Sequence, residues 1–107
     1  MRSDLVEKFD SAKTRALEEL EKRKGILHFF RPLPQSGDGL YLGHDGTLSS
    51  RYDMSHLPIG EFTAPTVADA MVAYHKILLG QEIGKDRALE LAISGLEEAL
   101  SKPASQS

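Results

Sequence analysis

An Asp-Gly pair between two alternating apolar segments is the feature that most restricts how this chain can fold. The dipeptide is Asp45-Gly46, and in this setting it predicts a β-hairpin. A two-residue turn would place Leu48 on the opposite face from Leu40 and Leu42. A three-residue loop with Gly46 in the left-handed conformation pairs Leu42 with Leu48 instead. Because a slip of one residue exchanges the two faces, we expect the second register, which unites the three leucines.

Helical periodicity surrounds this hairpin on both sides. Residues 3–24 carry one apolar stripe at spacings of three and four, and Gly25 follows where a left-handed residue commonly ends a helix. A second helix is predicted over residues 66–80 with Thr66 as its N-cap, and a third over residues 84–101. We expect these helices to cover the apolar face of a sheet.

The sheet is predicted to be a short antiparallel meander of three strands. Residues 26–30 form an apolar run bounded by glycine and proline, which predicts a strand ahead of the hairpin. Residues 53–65 contain proline and glycine and are expected to be irregular. The predicted fold is therefore α+β, with an N-terminal helix, three strands and two C-terminal helices on one face. We assign one domain to residues 1–102 and a frayed tail to residues 103–107.

Composition narrows the range of protein classes. The chain has 107 residues and no cysteine, which excludes disulfides and thiolate metal sites. A core of this size gives thin stability, so association with a partner or a second copy is expected to add to it. No apolar run of about 18 residues predicts a membrane span, and no signal-peptide core follows the N-terminus. We therefore expect a cytoplasmic protein without membrane contact.

Charge argues against direct binding of nucleic acid. The net charge is −3, and the one dense basic run, Lys22-Arg23-Lys24, closes the first predicted helix, where it complements the macrodipole. Nucleic-acid binding normally needs a cluster of lysine and arginine side chains, which release counterions. The chain therefore is expected to bind protein rather than nucleic acid.

No catalytic or cofactor motif is present. The serines lie outside any Gly-x-Ser-x-Gly motif, and the glycines satisfy neither phosphate-loop nor dinucleotide spacing. We predict no cofactor and no catalytic residue. One alternative is a small-ligand or metal site formed by His44, Asp45, Asp53 and His56, which requires the hairpin and the segment after it to fold back on each other.

The leading hypothesis is a non-enzymatic protein-interaction module. Residues 51–61 mix tyrosine, arginine, methionine and apolar side chains, a composition typical of interfaces. Leu57, Ile59 and Phe62 could instead fill the core beneath a long connection. A specific version is a small acidic inhibitor or immunity-type protein that covers a basic, nucleic-acid-handling target. The residues predicted to contact the partner are Asp38, Asp45, Arg51, Tyr52, Asp53, Met54, His56 and Glu61.

Overall fold

The computed structural model describes residues 1–101. In chain order its elements are α1 (Ser3–Arg23), β1 (Ile26–Leu33), β2 (Asp38–Gly43), β3 (Thr47–Tyr52), β4 (Ser55–Glu61), α2 (Ala64–Tyr74), a π-helical turn (His75–Leu79) and α3 (Lys85–Leu100). The predicted tail, residues 103–107, and residue 102 of the predicted domain lie outside the described residues.

The α+β class is confirmed, but the sheet has four strands rather than three. The strands follow the order β1-β2-β3-β4 with antiparallel neighbours. The fourth strand was missed because Pro58 and Gly60 are typical of irregular segments. An edge strand forms ladder hydrogen bonds on one side only, so proline is tolerated there. Residues 53–65 therefore contain a strand where the sequence favoured a loop.

The hairpin has the register that the three leucines predicted. Leu42 lies opposite Leu48, and Gly46 adopts a φ of 85°. The amide of Gly46 donates to the carbonyl of Gly43 at 3.0 Å, closing the loop. All three leucines are fully buried, which is the apolar grouping that selects this register over the other.

The helices cover one face of the sheet, and Phe62 joins the two layers. Its ring stacks on Phe9 of α1 at a centroid distance of 5.3 Å and meets the edge of Phe29 of β1 at 5.4 Å. Phe62 is therefore core, as one interpretation of the sequence held. Leu57 and Ile59 are exposed, so that interpretation is wrong for them.

A β-bulge in β1 brings α3 close to the sheet. The register shifts between His28 and Phe30, and the consecutive residues Phe29 and Phe30 are both buried. A bulge permits this because it interrupts the alternation of faces. Gly95 of α3 lies directly over it, and a Cβ there would stand 1.9 Å from the carbonyl oxygen of Phe29. The glycine is therefore required by the close approach of two backbones.

Two predicted helix ends are displaced by a few residues. The left-handed residue after α1 is Lys24, with a φ of 58°, rather than Gly25. The N-cap of α2 is Thr63, whose Oγ1 accepts from the amide of Thr66 at 3.4 Å; Thr66 is thus in the first turn. Proline is well tolerated in that turn because its missing N–H would have no helical partner. The end of the second helical segment at Gly80, with a φ of 64°, agrees with the sequence.

Candidate interaction surface

The β3–β4 hairpin turns through two residues in left-handed conformations. Asp53 has a φ of 49° and Met54 a φ of 68°, as a type I′ turn requires. The amide of Asp53 donates to Oδ1 of Asp38 at 3.2 Å, which fastens the turn to the start of β2. Asparagine, aspartate and glycine enter this conformation readily, whereas methionine does so at a cost. The turn thus retains an unfavourable residue at its tip.

Exposed apolar side chains concentrate on this hairpin. The structure has nine large apolar side chains exposed within residues 1–101, and four of them lie between residues 52 and 59. Met54 is 79% exposed and Leu57 is 58% exposed. We call these four residues the hairpin surface: Tyr52, Met54, Leu57 and Ile59. Scattered apolar side chains are normal on a protein surface, but a cluster of this kind is typical of a contact site.

The helical layer reaches the C-terminal end of β4, where a Cβ on Gly60 would stand 3.8 Å from Cγ2 of Thr66 in α2. Leu57 lies opposite Ser50, so its side chain points to the face that carries the helices. The hydroxyl of Tyr74 donates to Oγ of Ser50 at 2.8 Å, yet Leu57 remains 58% exposed. Six of the seven residues of β4 are exposed. The strand is therefore an open edge whose backbone groups can pair with another chain.

The predicted acidic residues do not share one surface. Asp38 is buried, with 8% of its area exposed, and its carboxylate accepts the hydrogen bond from Asp53. Glu61 lies opposite Thr47, next to Asp45 in the β2–β3 loop. A strand of six residues spans about 20 Å, so β3 separates the pair Asp45 and Glu61 from the pair Asp38 and Asp53.

The structure brings three residues of the alternative metal or small-ligand set to one cavity. His44, Asp45 and His56 line this cavity of about 380 Å³, whereas Asp53 lies at the β3–β4 turn and is not part of its lining. Within residues 1–101, no group of three or more histidine, aspartate or glutamate side chains is arranged to hold a metal ion. The pKa of Asp45 is lowered because its carboxylate accepts hydrogen bonds from the backbone and side chain of Thr47, a contact that serves the loop.

The face of the sheet away from the helices carries an aromatic cluster that sequence reasoning missed. Tyr41 lies opposite His28 on one side and Ser49 on the other. Because Ser49 is small, the Tyr41 ring reaches across β3, and its hydroxyl lies 3.1 Å from Nδ1 of His56. The His28 and Tyr41 rings are 5.4 Å apart. The alternation of β2 predicts that Tyr41 faces away from the leucines, but β4 had to be recognised before His56 could join it.

Positive charge collects around this cluster. Burial lowers the pKa of His28, and the nearby charges of Arg31, Arg51 and His56 lower it further. The guanidinium of Arg51 lies against the β1–β2 loop, where a Cβ on Gly37 would stand 2.6 Å from Nη1. Its Nε is buried and has no hydrogen-bond partner among the described residues. An arginine with an unpaired buried donor is costly and calls for an explanation.

A cavity of about 300 Å³ lies between β1, the π-helical turn and α3, and the contacts of its buried histidine serve core packing. His75 is buried there and stacks on Phe30 at 4.6 Å. Its Nδ1 lies 2.8 Å from the carbonyl oxygen of Met71, and because a carbonyl only accepts, Nδ1 carries the proton. Both contacts hold the ring in the core.

Comparison with known proteins gives no indication of function, so function must be inferred from the fold and its surfaces. No family model matches this chain, and neither the curated proteins nor the solved structures gave a significant match. In the part of the chain that the structure describes, no helix is both long and apolar enough to cross a membrane.

Proposed function

We propose that this chain is a non-enzymatic protein-interaction module that binds a partner protein through β4 and the hairpin surface. The observation that carries the proposal is the open edge of β4, which displays the exposed side chain of Leu57. Natural proteins usually protect such an edge with charges, prolines, bulges or a covering element. In β4, Pro58 and the register shift next to it interrupt the edge, so the stretch open to a partner is Ser55–Leu57. A partner strand laid along it would pair the free backbone groups and bury the apolar side chains.

The conformation of Met54 supports the same site. A left-handed non-glycine residue costs about 1–2 kcal/mol, and this one is 79% exposed, so the fold gains no burial from it. Unfavourable backbone conformations that persist on a surface favour a role in binding. Methionine is also an adaptable side chain that is common at binding surfaces.

The acidic inhibitor version remains a proposal in a narrower form. Of the four carboxylates predicted to cover a basic target, Asp53 and Glu61 are exposed at the proposed interface, and Asp53 directly precedes Met54 of the hairpin surface. A single rim charge acts chiefly on the association rate and its dependence on salt. Asp53→Asn tests it, because asparagine keeps the tolerance for a left-handed conformation and removes the charge. If association with the partner keeps its salt dependence, the target is not basic at this contact.

The hairpin proposal is tested with Leu57→Lys in affinity capture from the native host, with quantitative mass spectrometry. The matched control is Leu33→Lys, because Leu33 is 40% exposed and lies on the opposite edge strand, β1. We expect Leu57→Lys to reduce recovery of the partner at least about tenfold, since the loss of a central hot-spot side chain costs about 2 kcal/mol or more. The Leu33→Lys variant should recover the partner as the wild type does.

Equal recovery by both variants, or equal loss, would place the contact elsewhere and overturn the proposal. Sedimentation of the purified chain over a range of concentrations separates a foreign partner from a second copy. A dimer that Leu57→Lys dissociates and Leu33→Lys preserves would identify the partner as another copy of this chain. A monomer at all concentrations would leave the captured protein as the partner.

A further inference from the structure

Among the described residues, two arginines of the sheet have no ion pair with a carboxylate: Arg51 on the face away from the helices, and Arg31 at the β1 edge, where it also lines cavities beside α3. Four of the six arginines form ion pairs with carboxylates, and these are Arg2, Arg15, Arg23 and Arg87. Within residues 1–101, Arg31 and Arg51 form none. Both belong to the sheet, in β1 and β3. Two positive charges in this part of the chain are therefore left without an ion pair on a protein whose net charge is −3.

Gly37 in the β1–β2 connection makes room for the guanidinium of Arg51. Arg51 is opposite Gly39 on β2 and His56 on β4. Its guanidinium rests against Gly37, where a Cβ would stand 2.6 Å from Nη1. The buried Nε has no partner among the described residues.

Two carboxylates lie beside this face without an ion pair to either arginine in the described part of the chain. Glu98 lines a cavity with His28 and Arg31, and Asp45 lines one with Tyr41 and His56. Asp38 is buried and accepts from the amide of Asp53. The charges that act on His28 are those of Arg31, Arg51 and His56, all of one sign. The two arginines without an ion pair therefore supply the charge that would complement an anion.

We propose that this face binds a phosphoryl group through Arg51 and Arg31, with the rings of Tyr41 and His28 placed to stack on a planar group attached to it. The arginine fork matches phosphate oxygens in pairs, which a lysine cannot do. The adjoining rings provide a stacking surface. The shared chemistry is a phosphoryl group, and the carrier is either free phosphate or a mononucleotide.

The test is a titration followed by the Nε–Hε resonance of Arg51 in NMR spectra of the ¹⁵N-labelled full chain. The probes are inorganic phosphate and AMP, with sodium chloride at equal ionic strength as the reference. We expect both probes to shift this resonance at saturating concentrations, with dissociation constants of about 1 mM or below. AMP should bind more tightly than phosphate, because a stacked base adds about 1–3 kcal/mol, at least a fivefold gain in affinity.

Arg51→Gln supplies the decisive variant and Arg87→Gln its matched control. Both remove one positive charge, but Arg87 lies on α3 and pairs with Glu90. We expect Arg51→Gln to weaken phosphate binding about tenfold or more, since a hydrogen bond to a charged group contributes about 1.5–3 kcal/mol. Arg51→Lys keeps the charge and should give an intermediate loss. Neither variant has the arginine Nε–Hε group, so both titrations are followed through the backbone amides of β2 and β3.

Each result decides a part of the proposal. Shifts that sodium chloride reproduces, or equal weakening by Arg51→Gln and Arg87→Gln, would reduce the effect to general charge screening and overturn it. Equal affinities for AMP and phosphate would confirm the phosphoryl site and overturn the stacking role of Tyr41. Backbone spectra of Arg51→Gln check that the fold is retained. If this variant misfolds, the same comparison is made with Arg31→Gln.

Discussion

Replacing Gly95 by alanine tests the closest approach between the helical layer and the sheet. In the middle of a helix this change normally stabilises by about 1 kcal/mol. Here the added Cβ would stand 1.9 Å from the carbonyl oxygen of Phe29, whereas real Cβ contacts essentially never fall below 3.0 Å. The obstacle is backbone, so α3 must move by at least the difference of 1.1 Å (3.0 − 1.9).

That movement disturbs the packing of α3 against α1, α2 and β1 together. Overpacking a core costs about 1–3 kcal/mol, and a rigid backbone obstacle places this case at or above the upper end. After the gain in helix propensity, we expect a net loss of about 2 kcal/mol. For a domain of this size the loss lowers Tm by about 8–16 °C.

Urea denaturation followed by circular dichroism measures the effect. The midpoint should fall while the m-value stays constant, because the surface exposed on unfolding is unchanged. Gly25→Ala is the control, since a Cβ there meets nothing within 4 Å; its stability should stay level or rise by up to about 1 kcal/mol. A Gly95→Ala protein as stable as the wild type would refute the close approach of α3 to the bulge in β1.

Three further predictions concern the sheet. Met54→Gly should raise the free energy of unfolding by up to about 1 kcal/mol, because the relief of a left-handed methionine exceeds the added entropy of the unfolded glycine. A lower free energy of unfolding in urea denaturation would contradict the left-handed conformation of Met54 in the turn. Tyr74→Phe should lower the free energy of unfolding by about 1 kcal/mol in the same assay, because the tyrosine hydroxyl donates to Oγ of Ser50 at 2.8 Å and its removal leaves that oxygen without this donor. An unchanged stability would mean that the hydrogen bond contributes no more than one to water. The lowered pKa of His28 means that the unfolded chain binds more protons than the folded one. The contribution of His28 to stability is therefore fully present above about pH 6.5 and is lost as the pH falls below that ordinary value. His28→Gln should reduce the difference in Tm between pH 5 and pH 7, and an unchanged difference would assign the pH dependence to other groups.

Local chemistry was sufficient to predict the central hairpin. Two registers were possible, and they differ in whether Leu48 joins Leu40 and Leu42. Burial of three leucines is worth several kcal/mol, far more than the difference between turn types, so apolar grouping decides the register. The same reasoning predicted the buried stripe of α1, because its spacing fits only one face of a helix.

The fourth strand depended on context that local sequence does not carry. Pro58 argues against a strand in the middle of a sheet and is acceptable at its edge. Edge position is a property of the assembled sheet, so it could not be known before the strand order. The error extended to the candidate site, because an unrecognised β4 concealed that His56 faces Tyr41 and that Leu57 faces the opposite side.

This alternation along β4 separates the two proposed binding surfaces physically. His56 belongs to the face that carries Arg51 and Tyr41, whereas its neighbour Leu57 points to the side of the helices. A lysine at position 57 therefore leaves the phosphoryl site intact, and a glutamine at position 51 leaves the edge intact. If one ligand changed the affinity of the other, the coupling would have to be equal in both directions. Since adjacent residues of one strand face both sites, β4 is the element through which such coupling would pass, and phosphate binding measured with and without the partner would detect it.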